Sequence, residues 1–143
     1  KLRNYGINCL LIDVDGTLLS RQSNIIPSKV KIWIKDSKKF FSLYLISNNP
    51  SERRIAKIGN TLGIKYKFNA FKPSKRITLQ AIEELNIEHQ KIAIIGDRIL
   101  TDILVGNKCD IYTILVKKIS KKGVPARFNF ILSIEKLISF FIF

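Results

Sequence analysis

The chain has 143 residues, the length of one ordinary domain, and 46% of them are hydrophobic. That composition argues against a disordered chain and against a repeat array. Lysine and arginine outnumber aspartate and glutamate by 25 to 11, and the formal net charge of +14 favours an anionic partner such as nucleic acid, an anionic membrane surface or a phosphorylated substrate.

Strand-like and helix-like segments alternate along the chain. Residues 7–14 form a continuous apolar run without helical period, which is typical of a strand buried on both faces of a parallel sheet. Further segments are predicted in chain order as helix 27–41, strand 42–47, helix 51–62, strand 65–69, helix 73–86, strand 91–95, helix 100–109 and strand 111–117. This alternation predicts one α/β domain over residues 1–143, with a doubly wound, mainly parallel sheet and helices on both faces.

The connections between the predicted elements and the last segment of the chain add two further predictions. The two connections that precede Lys72 are short, so we expect no cap domain. The apolar segment at about residues 125–143 is predicted as a helix that either packs over the sheet edge or lies in a membrane interface.

The compartment can also be predicted from the sequence. The two cysteines, Cys9 and Cys109, have neither metal-site spacing nor the number that a disulfide framework needs. We therefore expect buried thiols in a reducing compartment, the cytoplasm or an organelle interior. No stretch approaches the roughly twenty apolar residues of a membrane span, and the first residues do not resemble a signal peptide.

Polar residues are concentrated where the predicted strands end, and ligands of such sheets bind at the carboxyl ends of the strands. Asp13 and Asp15 leave the first strand together. Two neighbouring carboxylates repel each other unless a cation lies between them or one keeps its proton. Magnesium meets the first need, and a proton-shuttling acid meets the second.

A second acidic cluster follows the strand at residues 91–95. Asp97 can complete a six-coordinate oxygen site with Asp13 and a backbone carbonyl near Asp15, and Asp102 can support it from one helical turn further on. Asp97 and Asp102 could instead be helix caps that compensate the helix dipole. Capping does not account for Asp13 and Asp15.

Two further segments suit a bound phosphate. Ser47 and Asn48 offer a hydroxyl, an amide and backbone N–H groups at a helix start. Lys72 can pair with the same phosphate, although a lysine before proline is more often a solvated surface residue.

Together these segments resemble the four ordered motifs of the haloacid dehalogenase-like (HAD) phosphatases: Asp13-x-Asp15-Gly16-Thr17, Ser47-Asn48, Lys72-Pro73 and Gly96-Asp97-x-x-x-Thr101-Asp102. The resemblance implies that Asp13 is the nucleophile and Asp15 the general acid/base. It also implies that the substrate phosphate is bound by Thr17, Ser47, Asn48 and Lys72. The magnesium site that it implies consists of Asp13, Asp15 and Asp97.

Within this superfamily, the chain looks like the YqeG branch over most of its length. The similar segments are Ser47-Asn48-Asn49, Glu52-Arg53-Arg54, Leu62-Gly63-Ile64, Lys72-Pro73, Gly106-Asn107-Lys108 and residues 112–116. This resemblance implies a phosphatase of phosphatidylglycerophosphate in phospholipid biosynthesis, with an anionic lipid head group as partner and peripheral contact with a membrane.

Three alternatives stay open at this point. The first is the same reaction on a soluble sugar phosphate or nucleotide. The second is a phospho-accepting signalling module, although such a module has no use for the second carboxylate, Asp15. The third is a basic nucleic-acid-binding domain, which we do not expect because no aromatic-basic interleaving or groove-reading motif is present. The sequence makes no prediction of the oligomeric state.

Overall fold

The computed structural model describes residues 1–120, and the helix predicted at about residues 125–143 lies outside them. Within residues 1–120, five strands form one sheet in the order β3-β2-β1-β4-β5, and every neighbouring pair is parallel. The predicted parallel α/β sheet is confirmed. The strands are β1 (Cys9–Ile12), β2 (Ser42–Ile46), β3 (Lys65–Lys67), β4 (Ile92–Gly96) and β5 (Tyr112–Leu115).

Helices connect the strands. Within the described residues they are α1 (Ser28–Ser37), α2 (Glu52–Leu62), α3 (Arg76–Leu85) and α4 (Leu104–Lys108), with 3-10 turns at Leu2–Tyr5 and His89–Lys91. The ends of α2 follow from local chemistry. Ser51 Oγ accepts a hydrogen bond from Arg54 N, and Gly63 ends the helix in the left-handed conformation with a φ of 62°.

Two helix predictions need correction. The helix predicted from residue 73 begins at Arg76, because residues 71–74 form a turn in which Ser74 N donates to Phe71 O over 2.8 Å. The helix predicted at residues 100–109 begins as a π-helical turn at Ile99–Ile103, and α4 follows it. The other elements differ from their predicted bounds by only a few residues at each end.

Both faces of the sheet are buried, as predicted. Leu10 and Ile12 pack with residues of α1 and α2, whereas Cys9 and Leu11 pack on the other face with residues of α3 and α4. Both cysteines, Cys9 and Cys109, are free and buried. Each fully buried leucine or isoleucine contributes about 2 kcal/mol to folding. Burial on both faces therefore stabilises the central strand, and with it the position of the residues that follow it.

The connections on the carboxyl side of the sheet are short. Between β1 and β2 the chain forms a loop and α1, and between β2 and Lys72 it forms α2 and β3. Neither connection holds a cap domain, as expected. Across residues 1–120 there is no helix with the length and apolar character that crossing a bilayer requires.

Candidate active site

Three parallel strands end at the same level of the sheet, and their next residues meet there. Ile12 of β1 is in register with Leu45 of β2 and Ile95 of β4. The chain therefore delivers Asp13, Ser47 and Asp97 to one edge. They line a single pocket with Asp15, Asn48, Lys72, Arg21, Asn49, Arg98, Thr101 and Lys118.

Lys72 lies at the bottom of this pocket. It is 4% exposed, and its Nζ donates to Asp13 Oδ1 at 2.7 Å, Asp102 Oδ1 at 2.6 Å and Ile46 O at 2.8 Å. Burial alone would lower the pKa of Lys72, but the charges and hydrogen bonds of Asp13 and Asp102 raise it above its usual value. Lys72 is thus a buried cation. It is not a solvated surface residue, although a lysine before proline usually is.

The side chain of Asn48 fixes the backbone of Lys72. Asn48 Oδ1 accepts from Lys72 N at 2.7 Å, and Asn48 Nδ2 donates to Lys72 O at 2.9 Å. The next peptide bond, Lys72-Pro73, is cis. Ser47 is also buried, and its Oγ accepts from Asn49 N at 3.1 Å. Asn48 and Ser47 therefore shape the loops from which the phosphate contacts were predicted, and their direct contact with phosphate stays a prediction.

Three carboxylates form an acidic cluster beside Lys72. Asp13, Asp97 and Asp102 each offer an oxygen, and these oxygens lie within 4.8 Å of one another. Thr17 Oγ1 lies between two of them, 3.0 Å from Asp13 Oδ2 and 3.3 Å from Asp97 Oδ1. The oxygen-rich donor set suits a hard divalent cation such as Mg²⁺.

The electrostatics of the cluster also favour a cation. Burial, followed by the charge of Asp13, raises the pKa of Asp97, while the charge of Lys118 opposes the rise. Burial raises the pKa of Asp102 to about 6 even though Lys72 favours its charged form. Asp102 is only 1% exposed and does not line the pocket, and its two oxygens accept from Lys72 and from Arg98 N at 3.2 Å. Asp13 and Asp97 are therefore the better candidates for direct metal contact.

Two glycines permit this close packing. A Cβ on Gly16, whose φ is 93°, would lie 2.6 Å from Asp97 Oδ2. A Cβ on Gly96 would overlap the side chain of Asp102. Glycine is the residue that combines a positive φ with close approach of another group. Both glycines belong to the motifs that were recognised in the sequence.

Asp15 is in different surroundings from Asp13, although only one residue separates them. Asn49 Nδ2 donates to Asp15 Oδ2 at 2.7 Å, and Arg54 donates to Asp15 Oδ1 from Nη2 at 2.7 Å and from Nε at 3.2 Å. Its carboxylate is not part of the acidic cluster. The sequence interpretation placed a backbone carbonyl near Asp15, not this carboxylate, on the metal, and that placement stays a prediction.

Arg54 is a site residue to which sequence reasoning assigned no role. Besides Asp15, it donates to Ser23 O at 2.9 Å, Asn24 Oδ1 at 2.8 Å and Ser20 O at 3.3 Å. It therefore ties the loop after β1 to the first turn of α2. A signal was available, because an arginine in the first turn of a helix that begins at the carboxyl edge of a sheet can reach that edge.

Basic side chains surround the mouth of the pocket. Arg21, Arg98 and Lys118 line it and are exposed. Within residues 1–120, none of the three forms an ion pair with a carboxylate. Sequence reasoning noted the basic composition but assigned no role at the site to these residues. Their positive charges make the entrance of the pocket attractive to anions.

Fold and site together define a phosphatase of the Rossmann-like type, and comparisons with known proteins agree. A family model described as HAD-hydrolase-like matches residues 70–123. The protein named Probable phosphatase YqeG of Bacillus subtilis (strain 168) is 30% identical over 131 residues, which cover 90% of this chain and 76% of that protein.

Solved structures agree on the fold. A predicted HAD-like family hydrolase of Porphyromonas gingivalis superposes with a TM-score of 0.67 at 11% identity, covering 92% of this chain and 98% of that one. The cobalt-bound deoxy-D-mannose-octulosonate 8-phosphate phosphatase of Haemophilus influenzae gives a TM-score of 0.55 at 17% identity, covering 65% and 60%. The chain belongs to the haloacid dehalogenase-like phosphatases, in the YqeG branch.

Proposed function

We propose that this phosphatase depends on Mg²⁺, forms a phospho-aspartyl intermediate on Asp13 and hydrolyses phosphatidylglycerophosphate to phosphatidylglycerol. The observation that carries the reaction is the position of Asp13, which accepts a hydrogen bond from Lys72 and lies in the cluster with Asp97. A bound Mg²⁺, held by Asp13 and Asp97, would supply the positive charge that allows an anionic nucleophile to approach an anionic ester.

The residues divide the reaction into two half-reactions. A carboxylate oxygen of Asp13 attacks phosphorus, the bond to the ester oxygen breaks, and Asp15 gives a proton to the leaving alcohol. Asp15 then removes a proton from water, which attacks the phospho-aspartate and releases phosphate. Asn49 and Arg54 hold Asp15 at the pocket wall, where a leaving group would pass. Lys72, Thr17 and Ser47 are the proposed contacts of the transferred phosphoryl group.

Three observations support a lipid substrate. The chain is similar to YqeG, whose branch the sequence resembles in the segments around the site. The carboxyl edge of the sheet has no cap among residues 1–120, so a bulky substrate can present its head group alone. The basic rim of Arg21, Arg98 and Lys118 complements the second phosphate of phosphatidylglycerophosphate, which stays on the lipid after hydrolysis.

A substrate comparison tests the proposal. Phosphate release is measured with phosphatidylglycerophosphate in vesicles and with a panel of soluble sugar phosphates and nucleotides, each with Mg²⁺ and with chelator. We expect Mg²⁺-dependent release from the lipid at a kcat/KM above that of every soluble ester. Strong turnover of a soluble ester with none on the lipid would reject the lipid substrate and leave the reaction class intact.

The metal proposal has its own readout. Mg²⁺ should raise the thermal unfolding midpoint of the protein, because a cation relieves the repulsion within the acidic cluster. The rise should be absent in Asp97→Asn and present in Asp36→Asn, which removes an exposed carboxylate on α1. An equal rise in both variants would place the cation elsewhere.

A soluble phosphate ester is the second candidate substrate. One of the solved structures with a similar fold is named as a phosphatase of deoxy-D-mannose-octulosonate 8-phosphate, a soluble sugar phosphate. A small polar ester would also fit a pocket lined by polar and charged side chains. The substrate panel decides between the two candidates.

A further inference from the structure

Among residues 1–120, four of the eight exposed large hydrophobic side chains lie in loops at the carboxyl edge of the sheet. Ile25 is 78% exposed, Phe71 60%, Ile99 53% and Leu100 76%. Ile25 lies in the loop after β1, Phe71 in the loop after β3, and the other two directly after β4. Single exposed hydrophobic residues are ordinary. These four residues lie in three loops that also carry residues of the pocket, and exposed apolar residues grouped in this way are typical of a contact surface.

The backbone around Phe71 turns its ring outward. Phe71 has a φ of 53°, in the left-handed region that bulky side chains rarely adopt. Its neighbours are buried, since Ala70 is 0% and Lys72 is 4% exposed. Such strain persists only where the surroundings fix it, and here Ala70 N donates to Ser47 O and Lys72 N to Asn48. The contacts that bury Lys72 therefore also hold Phe71 in solvent.

The same holds for the turn after β4. Asp102 and Ile103 are buried, and the bonds of Asp102 to Lys72 and to Arg98 N fix the π-helical turn. Ile99 and Leu100, on the same turn, are exposed as a consequence. The exposure of Phe71, and that of Ile99 and Leu100, thus depends on contacts made by residues of the catalytic centre. These exposed side chains lie on the same face of the molecule as the mouth of the pocket.

Cations accompany the apolar side chains on this face. Arg21 lies in the loop of Ile25, Arg98 precedes Ile99, and Lys118 follows β5. Apolar side chains that enter a bilayer interface, next to cations that meet lipid phosphates, are the combination by which peripheral proteins bind anionic membranes. A protein partner would need to match the charges with carboxylates of its own, whereas an anionic bilayer supplies anionic head groups and hydrocarbon together.

We propose that the catalytic loop surface, defined by Ile25, Phe71, Ile99 and Leu100 with Arg21, Arg98 and Lys118, docks on an anionic lipid bilayer. Docking would bring the pocket mouth to the level of the head groups, so that a phosphomonoester on a lipid reaches Asp13 without leaving the membrane. The inference extends the proposed lipid substrate, but binding to a bilayer can be measured without turnover.

Sedimentation with vesicles tests the surface. The full chain is mixed with vesicles of equal parts phosphatidylcholine and phosphatidylglycerol. We expect Ile25→Ser and Leu100→Ser each to weaken partitioning by about three- to tenfold. Ile32→Ser, which changes an isoleucine on α1 that is 61% exposed, should partition like the parent protein. Vesicles of phosphatidylcholine alone should bind less protein.

Turnover of a soluble aryl phosphate separates loss of folding from loss of docking. Neither Ile25 nor Leu100 has a role in the proposed chemistry, so both variants should hydrolyse this ester like the parent. Reduced vesicle binding with full soluble turnover supports the docking surface. Unchanged vesicle binding in both variants overturns it, and so does binding that is lost equally in Ile32→Ser.

A fluorescent label locates the contact. Because both native cysteines are buried, an environment-sensitive dye should label Leu100→Cys or Ile32→Cys selectively. Vesicles should shift the emission of the dye at position 100 to the blue and leave the dye at position 32 unchanged. Equal shifts at both positions would overturn the proposal. If docking holds but phosphatidylglycerophosphate is not hydrolysed, the proposed substrate fails and the docking surface stands.

Discussion

Asp13 and Asp15 follow the same strand and are separated by one residue, yet their side chains have different neighbours. Asp13 accepts a hydrogen bond from a buried lysine and shares a cluster with two other acids. Asp15 is bound by a guanidinium and an amide outside that cluster. Two identical side chains can therefore do different chemistry, one as a nucleophile beside a cation and one as a proton carrier, because their neighbours differ.

Replacing each aspartate by asparagine should separate the two roles, and this is the largest expected effect. With a soluble aryl phosphate, whose leaving group needs no proton, Asp15→Asn should still form the phosphoenzyme but hydrolyse it about a thousandfold more slowly. Intact-protein mass spectrometry after an acid quench should detect accumulated phosphoprotein in Asp15→Asn and none in Asp13→Asn. Phosphoprotein in Asp13→Asn would exclude Asp13 as the nucleophile.

Lys72→Met tests the surroundings of Asp13. Without the lysine, Asp13 and Asp102 lose the buried cation that contacts both, so the free energy of unfolding should fall by about 3 kcal/mol or more, and activity should be lost. Urea denaturation measures the first effect. Lys75→Met, an exposed lysine in the same loop, is the matched control.

A second substitution shows whether charge causes the loss. Adding Asp102→Asn to Lys72→Met removes one of the uncompensated carboxylates, so part of the lost stability should return. If the double variant is no more stable than Lys72→Met alone, the lysine stabilises the fold by packing and not by neutralising the acids.

The sequence predicted part of the surroundings of Asp13 and none of the contacts that hold Asp15. Asp13 and Asp97 could be placed together because each follows a continuous apolar strand, and parallel strands end at one edge. Burial of Lys72 was not predictable, because Lys72 does not follow a continuous apolar strand but lies in a loop after the short edge strand β3. The link between Arg54 and Asp15 spans 39 positions. The position of Arg54 in the first turn of α2 indicates that it can reach the site, but no local pattern indicates which carboxylate it binds.

The helix boundaries show the same limit. Residues 99–103 have apolar spacing that fits an α-helix, but the structure widens them into a π-helical turn. Asp102 is anchored there by Lys72 and by Arg98 N. A tertiary contact thus overrides the local propensity, and it does so at the site.

Arg54→Met tests the surroundings of Asp15. The substitution keeps an unbranched side chain but removes both hydrogen bonds to Asp15 Oδ1, so Asp15 should be less well oriented. We expect kcat on the aryl phosphate to fall roughly ten- to hundredfold with KM nearly unchanged. Arg53→Met, an exposed arginine one position earlier, should leave both constants unchanged. Added guanidinium should restore part of the kcat of Arg54→Met, and a change confined to KM would contradict the orienting role.

The smallest expected effect concerns two threonines that are both 0% exposed. Thr17 Oγ1 lies within hydrogen-bond distance of Asp13 and Asp97, whereas Thr78 Oγ1 has no protein partner among the described residues. Thr17→Val should lower kcat/KM roughly five- to tenfold, because it removes a donor that helps to hold Asp13 in place. Thr78→Val should leave catalysis unchanged and raise the free energy of unfolding by about 1 kcal/mol, because it removes an unpaired buried hydroxyl. Steady-state kinetics and urea denaturation of both variants measure these effects. Equal catalytic losses would mean that valine disturbs the fold, and that the Thr17 hydroxyl has no particular role beside the two carboxylates.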